Sequence, residues 1–293
     1  MSKRDQTVLL RITPLLFVLL WSSGFIGARM GAPYSEPMTF LALRFGIVTV
    51  LLLVLAFLLR ARWPSPRKAA HAFISGLLIH GLYLGAAFWA IDDGLSAALV
   101  ALVMGIQPVL TTFFARFVLK ERITRHHIIG FVLGLFGILM VMIPRLDAGN
   151  LSITPWQIAA AFGAMLSISF GTIYQKRFAS KLDVRSATVF QYGAATLLCG
   201  SLSFLTETQT IIWSGEFIFA LVWLIFVLSI GAIFLLLWMI EHGAVSKVAA
   251  LFYLVPAVTA ILAFLLFDEP ITPLQILGII ITATGVLLAN RGK

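Results

Sequence analysis

The sequence has little charge and almost no cysteine. Only 11% of its 293 residues are Asp, Glu, Lys or Arg, whereas a soluble domain carries roughly 25%. So few charges could not cover the surface of a compact soluble protein of this length. Cys199 is the single cysteine, which excludes a disulfide scaffold and a cysteine-based zinc or iron–sulfur site.

Enzyme signatures are missing as well. The sequence contains no HExxH, GxSxG, Walker or GxGxxG motif. An intramembrane hydrolase would need a nucleophile and a base within its apolar segments, and no acidic residue falls securely inside them. We therefore predict that the protein is not an enzyme and that it has no catalytic residues, no cofactor and no metal site.

Long apolar runs fill most of the chain, of which 60% is hydrophobic. A membrane-spanning helix needs about 20 apolar residues, and a barrel would show short alternating segments instead. We predict an all-α integral membrane protein, with one membrane domain over residues 1–293 and ten spans. The predicted spans are 13–31, 37–59, 70–91, 96–119, 125–144, 156–176, 184–206, 216–240, 245–267 and 273–290.

The net charge of +9 follows the predicted topology. If the N-terminus is cytoplasmic, every Lys and Arg lies on the cytoplasmic side except Arg29 and Arg145 outside and Arg44 within a span. This asymmetry predicts that both termini are cytoplasmic, in a multi-pass protein of a bacterial inner membrane. The partners expected are a small-molecule substrate and the lipid bilayer but no nucleic acid. The oligomeric state stays open, with a monomer slightly favoured.

An internal repeat divides the chain into residues 12–145 and 155–291. Seven residues of the fourth and fifth spans recur 148 positions later, and the offset is 147 earlier in each half. The first set is Pro108, Thr111, Glu121, Ile123, Thr124, Gly130 and Gly137; the second is Pro256, Thr259, Glu269, Ile271, Thr272, Gly278 and Gly285. Because each half has five spans, the two halves must be inverted, which is a construction typical of transporters.

These repeated residues resemble a known family. The motif Glu-x-Ile-Thr at 121–124 and 269–272, each followed by a Gly-rich helix, resembles the EamA-type transporters of the drug/metabolite transporter superfamily. The resemblance implies a central cavity between the third, fourth, eighth and ninth spans, around which the first, second, sixth and seventh move. It also implies export of amino acids, metabolites or cationic drugs. The length and aromatic-rich spans are similar to those of the YddG-type aromatic amino-acid exporters.

Two ionisable residues lie inside predicted spans. His80 is near mid-membrane, where a polar group is costly; it lines the cavity or makes an interhelical hydrogen bond. Arg44 is shallow enough to snorkel or pack, or it attracts an anionic group of the substrate. Tyr83 shares a helix face with His80. Gln175 and Gln191 are weaker candidates, because polar side chains often only link helices.

The remaining candidates lie near prolines or near span ends. Pro108 and Pro256 each remove a backbone hydrogen bond inside a span, so we predict hinges there. The other candidate substrate-binding residues, for which ordinary packing is the alternative, are Gln107, Tyr253, Trp21 and Trp238.

A cavity without carboxylates suits a neutral or zwitterionic solute with a large apolar side chain. We therefore predict export of aromatic or large apolar amino acids, with weak proton coupling or none. His80, Gln107 and Tyr253 would bind the polar end. Tyr83 and Trp238 would pack on the ring, and Arg44 would attract the carboxylate. The alternatives are export of cationic drugs or other metabolites, or a non-transporting scaffold or receptor, against which the inverted repeat argues.

Overall fold

The computed structural model describes residues 3–145 and 153–291. Within these ranges, ten helices are long and apolar enough to cross a membrane, which confirms the predicted all-helical membrane fold. They are α1 Ile12–Tyr34, α2 Pro37–Leu58, α3 Pro66–Asp92, α4 Leu99–Val118, α5 Arg125–Met142, α6 Pro155–Ala179, α7 Val184–Thr206, α8 Gly215–His242, α9 Val245–Phe267 and α10 Pro273–Arg291. Helix α3 begins four residues before the prediction, because Pro66 is tolerated in a first helical turn.

Threonine caps start helices at equivalent places in the two halves. The Thr124 hydroxyl accepts the backbone N–H of His127 at 3.4 Å at the start of α5. The Thr272 hydroxyl accepts the N–H of Gln275 at 3.3 Å at the start of α10. Each hydroxyl satisfies a backbone donor that has no partner inside the helix. Both threonines belong to the sequence repeat, so the two halves start these helices in the same way.

Helices at equivalent places in the two halves pack against each other in opposite directions. In the pair α2–α7, the Thr49 and Thr196 hydroxyls lie 3.2 Å apart and the Thr39 and Ser203 hydroxyls 2.7 Å apart. The residue numbers rise along one helix and fall along the other. Because these helices occupy the same place in each half, their antiparallel packing shows that the halves are inverted.

The pair α5–α10 repeats this arrangement at glycines. A Cβ on Gly130 would lie 2.5 Å from the Gly285 carbonyl oxygen, and one on Gly278 would lie 2.7 Å from the Gly137 carbonyl oxygen. The backbones can approach this closely only because these positions lack a side chain. The glycines of the sequence repeat thus form one antiparallel helix–helix contact between the halves, which we call the glycine seam.

Helices α4 and α9 are discontinuous. The fourth helix has the segments Ala97–Met104, which begins two residues before the span, and Gln107–Val118. The ninth has the segments Val245–Leu251 and Leu254–Phe267. Each break lies just before a proline, Pro108 or Pro256, whose nitrogen cannot donate a helical hydrogen bond. The structure therefore shows a break beside each proline, while the predicted hinges at Pro108 and Pro256 stay predictions.

Equivalent carboxylates close the loops that flank the α2–α7 pair. Glu36 accepts the backbone N–H of Thr208 at 2.9 Å, and Asp183 accepts that of Arg62 at 3.1 Å. The bond from Thr208 lowers the pKa of Glu36, and hydrogen bonding from Arg185 lowers the pKa of Asp183 to about 2. These two acids are 147 residues apart, so the loops obey the same repeat as the helices.

Candidate substrate-binding site

Arg44 is buried inside the protein. Its side chain is 2% exposed, and its Nε donates to the Ser229 hydroxyl of α8 at 3.0 Å. Among the described residues, no Asp or Glu carboxylate lies within 4.0 Å of the guanidinium. The side chain therefore does not snorkel to the membrane surface. It is a buried positive charge without an acidic partner in the described part of the chain.

Aromatic rings lie near this charge, and the guanidinium carbon is 5.4 Å from the centroid of the Phe45 ring. His80 stacks on Tyr192, with ring centroids 4.4 Å apart and planes 12° apart, and Phe45 packs on Tyr192 at 5.7 Å. The Tyr192 hydroxyl donates to the Ser229 carbonyl at 2.7 Å, so one residue of α8 holds both Tyr192 and Arg44. Tyr83 is 5% exposed and lies three residues after His80 on the same helix. We call Arg44, His80, Tyr83, Tyr192 and Ser229 the arginine cluster.

Wide helical turns position two members of this cluster. His80 lies in a π-helical segment of α3, Leu77–Leu82, and Ser229 lies in another in α8, Leu224–Ala232. A π-helical turn holds more residues than an α-helical one and often occurs at functional sites. The wider turn changes the direction of the side chains that follow it, and the segment in α8 presents the Ser229 hydroxyl to Arg44.

The arginine cluster unites three of the predicted site residues, Arg44, His80 and Tyr83. Sequence reasoning missed Tyr192 and Ser229, which lie on the seventh and eighth helices. Within the sequence, the only signal for Tyr192 was its position 147 residues after Phe45, the neighbour of Arg44.

Gln107 and Tyr253 lie at the helix breaks instead. Gln107 is 1% exposed and Tyr253 is fully buried. The Gln107 amide donates to the Thr111 hydroxyl at 3.1 Å, and the Tyr253 ring packs on Phe131 at 6.1 Å. The Tyr253 hydroxyl has no partner among the described residues. No described hydrogen bond or ring contact joins these residues to the arginine cluster.

The two predicted tryptophans pack elsewhere. Trp21 is 6% exposed and meets the Phe252 ring edge-on at 5.2 Å. Trp238 is half-buried and stacks on His242 at 4.7 Å, in the last turn of α8. Nine residues separate Trp238 from Ser229, about 13 Å along a helix. The expectation that Trp238 shares a substrate ring with Tyr83 is therefore not supported by their placement.

Basic residues at equivalent positions bind helix ends on opposite faces. Arg29 forms an ion pair with Glu269 and lies 4.4 Å from the centroid of the Phe267 ring. On the other face, the Lys176 ammonium donates to three carbonyls at the end of α8 at 2.6, 2.8 and 3.1 Å. Glu121 accepts two backbone N–H groups at the start of α9 at 2.7 and 3.1 Å. Related polar contacts therefore join neighbouring helices on both faces.

Known proteins match the whole architecture. The sequence model of the EamA-like transporter family matches residues 11–143 and 155–291. The "Uncharacterized transporter YvbV" of Bacillus subtilis (strain 168) is 25% identical, covering 93% of this chain and 88% of that protein. The "Probable amino-acid metabolite efflux pump" of Escherichia coli (strain K12) is 26% identical, with 98% and 95% covered.

A third relative is the "Uncharacterized inner membrane transporter YedA" of the same Escherichia coli strain, 25% identical over 97% of this chain and 92% of that protein. A solved crystal structure superposes with a TM-score of 0.78 at 21% identity and covers 95% of both chains. At this identity the superposition shows a shared fold.

Proposed function

Because the chain belongs to the EamA-like transporter family, we propose that it is a secondary transporter that exports aromatic or large apolar amino acids by alternating access. This proposal places it with the YddG-type aromatic exporters that its length and aromatic-rich spans resemble. One relative is itself named a probable amino-acid metabolite efflux pump, which supports a substrate of this class.

The observation that carries the proposal is the buried charge of Arg44. Removing a guanidinium from water costs several kcal/mol unless an anion and further hydrogen bonds compensate it. The described residues give Arg44 one side-chain hydrogen bond, from Nε to Ser229, and no carboxylate. A substrate carboxylate would supply the missing charge through paired N–H···O bonds. A cationic drug would meet a like charge there, which disfavours the alternative.

The aromatic rings of the arginine cluster suit the apolar part of such a substrate. His80 and Tyr192 form a stack beside Arg44, and offset or edge-on contacts between aromatic groups add about 0.5–1.5 kcal/mol each to burial of the ring. A carboxylate held by Arg44 would therefore place an aromatic side chain within reach of rings.

The acidic residues of the spans bear on the energy source. Within the described helices, Asp92, Glu216 and Glu241 each lie in a first or last turn. A carboxylate that binds a transported proton or sodium ion would be expected deeper in the membrane. We therefore propose facilitated export with weak proton coupling or none.

Flux measurements in proteoliposomes test this function. We expect transport of labelled tryptophan and phenylalanine, and a loss of at least about tenfold in the Arg44→Gln variant, because a charge-assisted pair is removed. Thr196→Val, which removes a half-buried hydroxyl contact on the neighbouring helix, serves as the matched control with near-normal flux. Absence of amino-acid flux in the wild type would contradict the substrate, and full flux in Arg44→Gln would contradict the role of the charge. Strong accumulation of the amino acid under an imposed pH gradient, retained in the His80→Ala variant, would contradict weak or absent proton coupling.

We also propose that the protein lies in a bacterial inner membrane with both termini in the cytoplasm, because basic residues favour one side and a relative is named an inner membrane transporter. The chain ends at 1–2 and 292–293 lie outside the described residues. Asp93 and Lys181 are both exposed and make a matched pair for cysteine labelling in a Cys199→Ala background. An impermeant reagent added outside should label Asp93→Cys and spare Lys181→Cys. The reverse result would show the opposite topology, with both termini outside.

A further inference from the structure

Two basic residues at equivalent positions of the repeat, Lys176 and Arg29, have different partners. Lys176 lies near the end of α6, and its ammonium group donates to three carbonyls at the end of α8. Arg29 lies 147 residues earlier, near the end of α1, where it is exposed and pairs with Glu269. Within the described part of the chain, Glu269 is the one hydrogen-bond acceptor of Arg29. The contact that joins α6 to α8 therefore has no counterpart between α1 and α3 among these residues.

The acceptors of Lys176 nevertheless have counterparts in the sequence of α3. They belong to the segment Trp-Met-Ile-Glu-His-Gly at 238–243, and the segment Trp-Ala-Ile-Asp-Asp-Gly at 89–94 repeats its Trp, Ile, acidic residue and Gly. The last carbonyls of a helix have no partner inside it and attract a cation. The end of α3 therefore offers a basic residue the same acceptors as the end of α8. The equivalent carbonyls are those of Ile91, Asp92 and Gly94.

The ends of α1 and α3 border a common space. A cavity of about 280 Å³ has residues 32–36, which follow Arg29 at the end of α1, and Asp92 at the end of α3 in its lining. Both ends lie on the face that is the outer one in the proposed topology. A movement of α1 and α3 towards each other would therefore bring Arg29 to the end of α3.

The broken helices also differ between the two faces. The first segment of α9, Val245–Leu251, packs against the second segment of α4, and all its side chains except Lys247 are buried. Of the described side chains in the equivalent first segment of α4, Ala97–Met104, only Val100 is buried. The helices are therefore packed more tightly around α9 at the cytoplasmic face than around α4 at the outer face.

We propose that this structure is the outward-open state, and that in the inward-open state Arg29 binds the carbonyls at the end of α3 while Lys176 releases those at the end of α8. In two inverted halves, each face takes in one state the arrangement that the other face has in the other state. Arg29 is thus the outer counterpart of Lys176. This inference rests on the proposed function, because it requires alternating access.

Two engineered cysteines in a Cys199→Ala background measure the balance between the states. Val103→Cys lies in the first segment of α4, and Leu251→Cys is its equivalent in α9, 148 residues later. In this structure Val103 is half-buried and Leu251 is buried. A membrane-impermeant thiol reagent should reach Val103→Cys from outside in the outward-open state and Leu251→Cys from the cytoplasmic side in the inward-open state. The ratio of the outer to the inner labelling rate, measured in right-side-out and inside-out vesicles, therefore follows the equilibrium between the states.

Removing either charge should move this ratio, in opposite directions. Lys176→Gln loses contacts made in the outward-open state and should lower the ratio about tenfold, the effect of one charge-assisted hydrogen bond. Arg29→Gln should raise the ratio about tenfold, because the exposed pair with Glu269 contributes little and the contacts with α3 are lost. Arg29→Lys keeps a cation and should return the ratio to the value of the wild type. Lys181→Gln, at an exposed position near Lys176, is the control and should leave the ratio unchanged.

The outcomes separate this inference from the function it rests on. An unchanged or lowered ratio in Arg29→Gln overturns the inference, since a residue that only pairs with Glu269 would stabilise the present state. An unchanged or raised ratio in Lys176→Gln also overturns it, and this result does not depend on the folding of an Arg29 variant. The labelling uses no substrate. Absence of amino-acid flux in the wild type, with both ratios shifted as expected, would therefore contradict the proposed substrate and support the exchange of contacts.

Discussion

The glycine seam between α5 and α10 allows a sharp test of the fold. A Cβ on Gly278 would lie 2.7 Å from the Gly137 carbonyl oxygen and 2.9 Å from the Cβ of Met140. Neither obstacle can rotate away, because one is backbone and the other is fixed to it. Gly278→Ala must therefore push the two helices apart, and overpacking of this kind costs about 1–3 kcal/mol.

The same substitution also removes the conformational disadvantage of glycine in a helix, about 1 kcal/mol. A control that shares this gain without the clash is therefore needed. A Cβ on Gly163 of α6 or on Gly200 of α7 would meet no neighbouring atom within 4 Å. Gly163→Ala and Gly200→Ala should therefore be neutral or slightly stabilising. The difference between Gly278→Ala and these controls isolates the cost of separating the helices.

Thermal unfolding in detergent, followed by the loss of the monodisperse peak in size-exclusion chromatography, measures this difference. We expect Gly278→Ala to unfold on the order of 5 °C below Gly163→Ala, in line with the effect of 1–3 kcal/mol in a chain of this size. Equal unfolding temperatures of Gly278→Ala and Gly163→Ala would refute the close backbone contact and, with it, the packing of α5 against α10.

Three further predictions address motion and pH. Pro256→Ala should join the two segments of α9 and slow transport at near-normal expression, by removal of the break; unchanged initial rates in Pro256→Ala, Pro108→Ala and the double variant would exclude a hinge. Arg29→Glu should slow transport, because it places a second acid beside Glu269 where the ion pair was. Combining it with Glu269→Arg should restore part of the lost flux. A double variant as slow as the worse single variant would argue against the ion pair. The Asp183 carboxyl has a pKa of about 2 in the folded protein against an ordinary value of 3.8. Its contribution to stability is therefore complete above about pH 4 and lost as the pH falls towards 2. Asp183→Asn should flatten the thermal-stability profile in this window, and a profile identical to that of the wild type would count against the pairing.

Much of the fold follows from local rules that the sequence displays directly. Hydrophobic runs long enough to cross a membrane define the helices, because backbone groups in lipid must bond within their own segment. Thr124 and Thr272 cap helices through their own side chains, and Pro108 and Pro256 interrupt helices because they lack an N–H. The equal spacing of these residues was sufficient to predict two inverted halves.

The geometry of the candidate site depends on packing between distant helices, which the spacing of residues along the sequence does not reveal. Position along α2 determined the depth of Arg44, but only the packing of α7 and α8 decided that it would be buried. Tyr192 stacks on a residue that is 112 positions away, and no local pattern signals such a contact. The π-helical segment Leu224–Ala232 rotates the rest of α8 relative to a regular helix, so the direction of Trp238 was not predictable from an α-helical period.

The repeat is retained in the scaffold and is lost at the candidate site. The glycines, threonine caps, prolines and loop carboxylates recur in both halves, whereas Arg44 corresponds to Gln191, and Phe45 to Tyr192. A scaffold of two similar inverted halves lets inward- and outward-open arrangements be built from related contacts, which keeps their free energies close. A symmetric binding site would treat both ends of a ligand alike. Under the proposed function, a charge that only one half supplies would distinguish the two ends, so the same molecule could be held in one orientation while the scaffold around it changes direction.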